Sequence, residues 1–324
     1  MTITLAGGIT FFGITFSPPP PPENTAAWYG GGTFGTGSSV TRITFATDTD
    51  TASVRGPLSQ GRSRLAAAGN QTDGWFGGGY SPGNFSMVNR ITYATDTATA
   101  SVRGPLSEIS QGLAAAGNTT NGWFGGGGAG TYTISTVSRI TYATDTATAS
   151  VRGPLSAIRD KLAAVGNTTD GWFGGGQNNN ASNSRSTVNR ITYATDTATA
   201  SVRGPLSSAR YGLAAAGNTT DGWFGGGRNF FSGPYAVVGS TVNRITYATD
   251  TATASVRGPL SSARYGLAAA GNTTDGWFGS GYDPSVGAVS TVDRITYATD
   301  TATASVRGPL GRAGYNLAAA GGIQ

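Results

Sequence analysis

RITYATDTATASVRGPLSSARYGLAAAGNTTDGWFGSG, residues 244–281, decides the fold, because the chain says nearly the same thing six times. Its Val-Arg-Gly-Pro-Leu core recurs with the arginine at 55, 103, 152, 203, 257 and 307, at spacings of 48, 49, 51, 54 and 50 residues. A period near fifty marks a repeat architecture, in which each copy is one supersecondary unit that buries its apolar faces against its neighbours.

Each unit divides into four short runs. In the fourth copy, residues 162–166 (LAAVG) are apolar and residues 167–171 (NTTDG) are a turn in which Asp-Gly gives a tight-hairpin signal. Residues 172–176 (WFGGG) form the second run. After a variable loop, residues 188–195 (VNRITYAT) alternate, with Ile191 and Tyr193 on one face and Arg190 and Thr192 on the other. Residues 198–202 then lead into Arg203-Gly204-Pro205, where proline ends the strand. Four short strands in fifty residues, punctuated by Gly, Pro, Asn and Asp, predict an all-β fold, a six-bladed β-propeller with four-stranded blades. The alanine-rich first run suits the crowded axis. The Trp-Phe pair of the second run points to both faces of the blade, as period-two geometry requires.

The tryptophans fall at 28, 75, 123, 172, 223 and 277, whereas the first-run leucines fall at 65, 113, 162, 213, 267 and 317. The ring therefore starts on a second strand and ends on a first strand. Residues 317–320 are expected to close it beside residues 28–32, which removes the free edge. A second closure, by residues 5–8 (LAGG), stays open.

Composition narrows the chemistry. The 324 residues carry a net charge of +5, only 11% charged residues, no Cys and no His. Disulfides, zinc and haem ligation of the usual kinds, and Ser-His-Asp or Cys-His catalysis are thereby excluded. No cofactor and no metal is expected. No Lys/Arg run of the nucleic-acid-binding kind is present, so nucleic acid is not an expected partner. The start, MTITLAGGITFFGITF, lacks a basic n-region and any apolar run of spanning length, so neither export by this segment nor membrane insertion is expected. Residues 1–26 read as an extended N-terminal anchor: a hook bearing Ile9, Phe11, Phe12, Ile14 and Phe16, then a polyproline spacer over residues 18–22. The propeller is expected over residues 27–324.

The repeats differ in one place. From each third-strand arginine to its fourth-strand arginine is 13 residues in every copy, and from there to the next tryptophan is 20. Between the second-strand glycines and the third-strand arginine the count varies: 9, 10, 11, 13, 16 and 12. The segments before the first strand also vary in sequence: QGRSR, EISQG, AIRDK, SARYG, SARYG and GRAGY, at 60–64, 108–112, 157–161, 208–212, 262–266 and 311–315. Antiparallel strands place both variable loops on one face of the disc. A constant framework with one variable face is how binding scaffolds are built, although loops also drift where nothing selects them. The candidate contact residues on that face are Tyr80, Asn84, Phe85, Tyr132, Asn179, Arg185, Arg228, Phe230, Phe231, Tyr235 and Tyr282, with Arg159, Arg210, Tyr211, Arg264 and Tyr265 from the second loop. Tyr, Asn and Arg suit adaptable recognition, and aromatic faces beside amides suit sugars. The repeated Arg90/Asp96/Arg103 type of set reads as structural. The carboxylates Glu108, Asp160 and Asp283 lie in different repeats, which argues against an enzyme.

The Gly-Gly after an apolar pair, the tyrosine that follows (Tyr93, Tyr142, Tyr193, Tyr247, Tyr297) and Ala209-Arg210-Tyr211-Gly212-Leu213 resemble the kelch repeat over residues 27–321. The chain departs from kelch in placing its tryptophan in the second strand, with Ala-Thr-Ala-Ser where kelch blades begin the fourth. Ala6-Gly7-Gly8-Ile9-Thr10 resembles the starts of repeat-bearing structural proteins of marine bacteriophages, cyanophages among them. That resemblance implies a virion location, a non-enzymatic tail, fibre or capsid-decorating role, and an oligomeric arrangement in the particle. It also implies docking to other virion proteins through the N-terminal segment, with a host-surface glycan or protein as the partner of the variable face. A sugar-binding lectin not attached to a particle is the alternative.

Overall fold

The computed structural model of the chain describes residues 25–33, 37–178, 183–230 and 236–321, together with the backbone of 3–4 and 10–11. Six four-stranded antiparallel sheets form the ring. The second blade shows the pattern. Ala66–Gly69 is innermost, Asp73–Gly77 second, Val88–Thr92 third and Ser101–Arg103 outermost. The first blade is built from both ends of the repeat region: Ala318–Gly321 pairs antiparallel with Ala26–Gly30, Trp28 opposite Ala320. The expected closure by the C-terminal strand is therefore the observed one. The alternative strand at 5–8 lies outside the described residues, as do Ile9, Phe12, Ile14, Phe16 and the prolines. Thr10–Phe11 pairs with Ile3–Thr4 in a two-residue bridge, of which the backbone alone is described.

Strand limits differ from the sequence expectation in two informative ways. The Asn-Thr-Thr-Asp turn closes on its asparagine: Asn167 Oδ1 accepts from the backbone N–H of Thr169 and Asp170, both at 2.9 Å. Asp170 and Gly171 already belong to the next strand, so Asx capping and not an Asp-Gly hairpin sets the register. The third strand stops at Thr192, and Tyr193 opens a short 3-10 turn. That turn leaves the tyrosine ring free to lie flat on Trp123 of the preceding blade, centroids 3.8 Å apart.

The core is six seams between blades. Each tryptophan packs towards the following blade, each phenylalanine towards the preceding one. At the first seam Trp28, Phe76, Leu58, Leu65 and Ile91 are buried together. Full burial of such side chains contributes about 1.5–3 kcal/mol each, repeated around the ring. Phe76 reaches the second strand of its neighbour because Gly30 stands there: a Cβ on Gly30 would lie 3.0 Å from the phenyl ring. Tyr29 takes the phenylalanine slot at the closing seam, its hydroxyl donating to the Trp277 carbonyl at 2.8 Å. The Arg-Gly-Pro signature has a like origin. A Cβ on Gly104 would fall 2.0 Å from the carbonyl oxygen of Ala147 in the next blade.

Between blades the charged residues form a clamp. Asp96 of the second blade receives the Trp28 indole N–H at 2.8 Å and Arg42 Nη1 at 3.0 Å, with Arg55 Nε at 3.3 Å, all from the first blade. The same four-residue set recurs at every seam, centred on Asp48, Asp145, Asp196, Asp250 and Asp300. The structural reading of the arginine–aspartate set is correct, but its membership shifts: Arg90 and Arg103 hold Asp145, not Asp96.

Candidate binding face around the channel mouth

Both variable loops rise on the same face of the disc, and they meet. In every blade the residue before the first-strand glycine position bridges to the residue after the second-strand glycines. The pairs are Tyr315–Thr33, Ser63–Tyr80, Gln111–Gly128, Asp160–Gln177, Tyr211–Arg228 and Tyr265–Tyr282. These short antiparallel bridges form a rim around the central channel. One backbone geometry thus displays six different residue pairs.

Inside the rim lies a closed ring of backbone hydrogen bonds. Arg64 N–H donates to the Asn316 carbonyl, Gly112 to Arg64, Lys161 to Gly112, Gly212 to Lys161, Gly266 to Gly212 and Asn316 to Gly266, at 2.5–2.8 Å. All six residues have positive φ, between 53° and 69°. Three are glycine, for which this is free of strain; Arg64, Lys161 and Asn316 are not. A side chain held in the left-handed region is strained by about 1–3 kcal/mol, and such strain gathers at functional sites. The ring slot in the sixth repeat is Asn316, one residue later than the sequence segment 311–315 suggests.

The side chains divide the rim into two chemistries. Over blades five, six and one it is aromatic. Tyr265, Tyr282 and Tyr315 cluster with ring centroids 5.5–6.4 Å apart. The Arg228 guanidinium lies 4.7 Å from the Tyr265 ring and 5.2 Å from the Tyr211 ring, and Lys161 Nζ lies 5.4 Å from the Tyr211 ring. Burial pushes the Tyr211 phenol up to about 12. Over blades two to four the rim is polar. Arg64 Nη1 donates to Gln111 Oε1 at 2.8 Å and its guanidinium sits 5.7 Å from Tyr80. Asp160 and Lys161 lie 3.9 Å apart, and burial raises the carboxyl while lowering the ammonium.

The predicted contact residues do not share one environment. Tyr80 and Tyr132 are exposed, Arg185 is exposed, and Asn84, Phe85, Arg228, Tyr265 and Tyr282 are half-buried on this face. Asn84 Nδ2 donates to the Gly128 carbonyl at 3.2 Å, tying the loops of blades two and three. Tyr211 is on the rim but only 4% exposed, so it supports Arg228 more than it meets solvent. Asn179, Phe231 and Tyr235 lie outside the described residues; Phe230 ends a short strand, Arg228–Phe230, with its side chain undescribed.

Arg159, Arg210 and Arg264 depart from the expectation. Their side chains turn inward and are buried, as is Arg62. Each donates to the carbonyl of the second-strand phenylalanine and to the third-strand residue beside it. For Arg210 these are Phe224 O at 3.1 Å and Asn243 Oδ1 at 3.0 Å; for Arg264 they are Phe278 O at 3.2 Å and Asp293 Oδ2 at 2.8 Å. These arginines brace the loop base, because the turn that carries the next residue into the rim bridge directs this one under the blade. A signal was present in the sequence: the slot reads Arg62, Arg159, Arg210, Arg264 where the third strand has Asn89, Asn189, Asn243, Asp293, but Ser110 where it has Ser138 and Gly314 where it has Thr41. Arginine and its amide or carboxylate partner appear and disappear together.

Among the described residues no group of three or more His, Cys, Asp or Glu side chains converges. Asp283 is occupied locally, accepting from the Ser285 hydroxyl and backbone N–H, which hold its carboxyl below the usual range. No helix among the described residues is long and apolar enough to cross a membrane.

No family model and no curated protein matches the chain. Among solved structures, one described as the structure of YjhT superposes with a TM-score of 0.73 over 89% of this chain and 95% of that one, at 13% sequence identity. The likeness is one of fold: the chain is a six-bladed, all-β propeller of the kind that structure represents.

Proposed function

We propose that the protein is a non-enzymatic binding propeller whose ligand is held at the rim of the channel mouth. The observation that carries this reading is the set of six bridge pairs. They differ from blade to blade on an otherwise copied framework, and half of the rim is a tyrosine–arginine cluster of the composition favoured in recognition surfaces. A host-surface glycan or a protein is the ligand class this surface suits.

The setting we propose is a phage particle, with the N-terminal segment as the attachment to other virion proteins and several copies per particle. It rests on the resemblance of residues 6–10 to the starts of marine phage structural proteins and on the kelch-like repeat. A free lectin shares the same rim and differs in having no particle to join. Deleting residues 1–24 separates the two, since Ala26 opens the first described blade strand. The virion reading expects a folded propeller that no longer joins particles. Unchanged incorporation sinks that reading. Binding to immobilised host envelope, abolished by Tyr282→Ala with Tyr315→Ala, tests the rim itself.

A further inference from the structure

The polar half of the rim contains a cleft that the tyrosine cluster does not share. Its floor is the Asp160–Gln177 bridge of blade four, and its wall is the blade-three hairpin of Gly128–Ala129 with Tyr132–Thr133. Gln177 is 7% exposed, yet its Oε1 has no hydrogen-bond partner among the described residues. Asn178, beside it, is half-buried, and its Oδ1 atom is buried without a partner among the described residues. Burying an acceptor without a donor is unfavourable, and such groups call for an explanation. The Asp160 carboxylate lines the same cleft, and Tyr132 stands over it, 57% exposed.

We propose that this cleft is a monosaccharide subsite, in which Asp160, Gln177 Oε1 and Asn178 Oδ1 accept from ligand hydroxyls while the Tyr132 ring covers an apolar sugar face. It rests on the reading of the rim as a binding surface and names the chemistry of one part of it. Three acceptor-bearing residues lining one cleft select a ligand rich in hydroxyl donors. They disfavour a phosphate or carboxylate, which brings further acceptors. A metal cation also takes oxygen ligands, but the site has one carboxylate, with Lys161 Nζ 3.9 Å from it and Arg64 near enough to lower the Lys161 ammonium further. The local charge is therefore not that of a cation site. A neutral polyol with an apolar face fits, as ligand sites commonly combine a few placed polar groups with an aromatic wall.

The test uses the full chain and saturation-transfer NMR with glucose, galactose, mannose, N-acetylglucosamine and maltose, beside calorimetry with calcium chloride. At least one sugar is expected to bind, and Tyr132→Ala, an exposed position that leaves folding intact, is expected to weaken it about tenfold or more. Asp160→Asn and Gln177→Leu should do the same with unchanged thermal melting. Tyr282→Ala should leave this monosaccharide binding in place. Sugar binding that survives Tyr132→Ala and Asp160→Asn overturns the subsite; if Tyr282→Ala abolishes it instead, the rim reading stands and the subsite alone fails. Calcium binding lost in Asp160→Asn overturns the choice of ligand. No sugar bound by the wild-type chain overturns the subsite, and retention of host-envelope binding in both sets of variants overturns the rim reading as well.

Discussion

Trp277 donates its indole N–H to Asp48 Oδ2 at 2.8 Å, across 229 residues of sequence. The bond spans the seam where the sixth blade meets the first, and Arg294 Nη1 and Arg307 Nε complete the clamp on the same oxygen, at 3.0 and 3.5 Å. The aspartate clamp at this seam is the one found at the other five, and the Tyr29 hydroxyl adds its bond to the Trp277 carbonyl. Asp48→Ala leaves a buried indole donor and two cations without their acceptor. Stability should fall by about 2–4 kcal/mol, less than for a fully buried pair because the arginines are partly solvated. Urea unfolding followed by tryptophan fluorescence measures it, and Asp50→Ala, an exposed position two residues on, serves as the neutral control.

Arg264 and Asp293 form the one ion pair, among the described residues, with both side chains 0% exposed. In the equivalent slots Arg159 and Arg210 are satisfied by asparagine. Asp293→Asn should therefore be tolerated within about 1 kcal/mol, whereas Asp293→Ala, which strands a buried guanidinium, should destabilise by about 3–5 kcal/mol. Thermal or urea unfolding of the two variants checks the contrast. Equal losses would show that charge, and not the acceptor, is what Arg264 requires.

Gly104 is set by a contact between blades, since its φ is not in the left-handed region and a Cβ would meet the Ala147 carbonyl at 2.0 Å. Gly104→Ala must separate two blades and should destabilise by about 3 kcal/mol or more. Gly130→Ala, where a Cβ meets nothing within 4 Å but φ is 71°, should cost about 1 kcal/mol through backbone strain alone. Parallel urea titrations of the two variants distinguish steric from conformational glycine.

Alkaline pH should weaken the fold. Burial pushes the phenols of Tyr29, Tyr93, Tyr142, Tyr193, Tyr247 and Tyr297 above their ordinary range. The unfolded chain releases these protons near pH 10 while the native state keeps them. Their contribution is thus complete below about pH 10 and is lost as pH rises further. Arg62, Arg159 and Arg210, lowered by burial to about 10, act in the opposite sense over the same window. Six tyrosines outnumber three arginines, so stability should fall above pH 10. The tyrosinate absorbance of these six buried phenols should appear as a step that coincides with the loss of tryptophan fluorescence.

Fold and site differ in how far they could be read from the chain. The period of the Val-Arg-Gly-Pro-Leu core, the offset between the first tryptophan and the last leucine, and the confinement of length changes to one loop carried the six blades, the closure and the variable face. Side-chain direction within the loops was not readable from a single repeat, and only the matched change of the arginine slot and its third-strand partner across repeats marked it. Arg210 and Tyr211 are adjacent and equally plausible on a surface, yet one braces the blade interior and the other lines the rim. The clamp was assigned within a repeat because chain proximity groups Arg90 with Asp96, whereas the ring pairs Arg90 with Asp145. The left-handed ring at the mouth was visible only where glycine fills it; Arg64, Lys161 and Asn316 give no such sign.

The central claim is that ligand recognition belongs to the rim and not to the constant face. Binding to immobilised host envelope, with a glycan array to define the ligand, should be compared for three proteins: wild type, Tyr265→Ala/Tyr282→Ala/Tyr315→Ala, and Thr119→Ala/Thr168→Ala on the opposite turns. The account predicts that the rim variant loses binding while melting within a few degrees of wild type, and that the opposite-face variant binds as wild type does. Retained binding in the rim variant, or loss in the opposite-face variant alone, would contradict it.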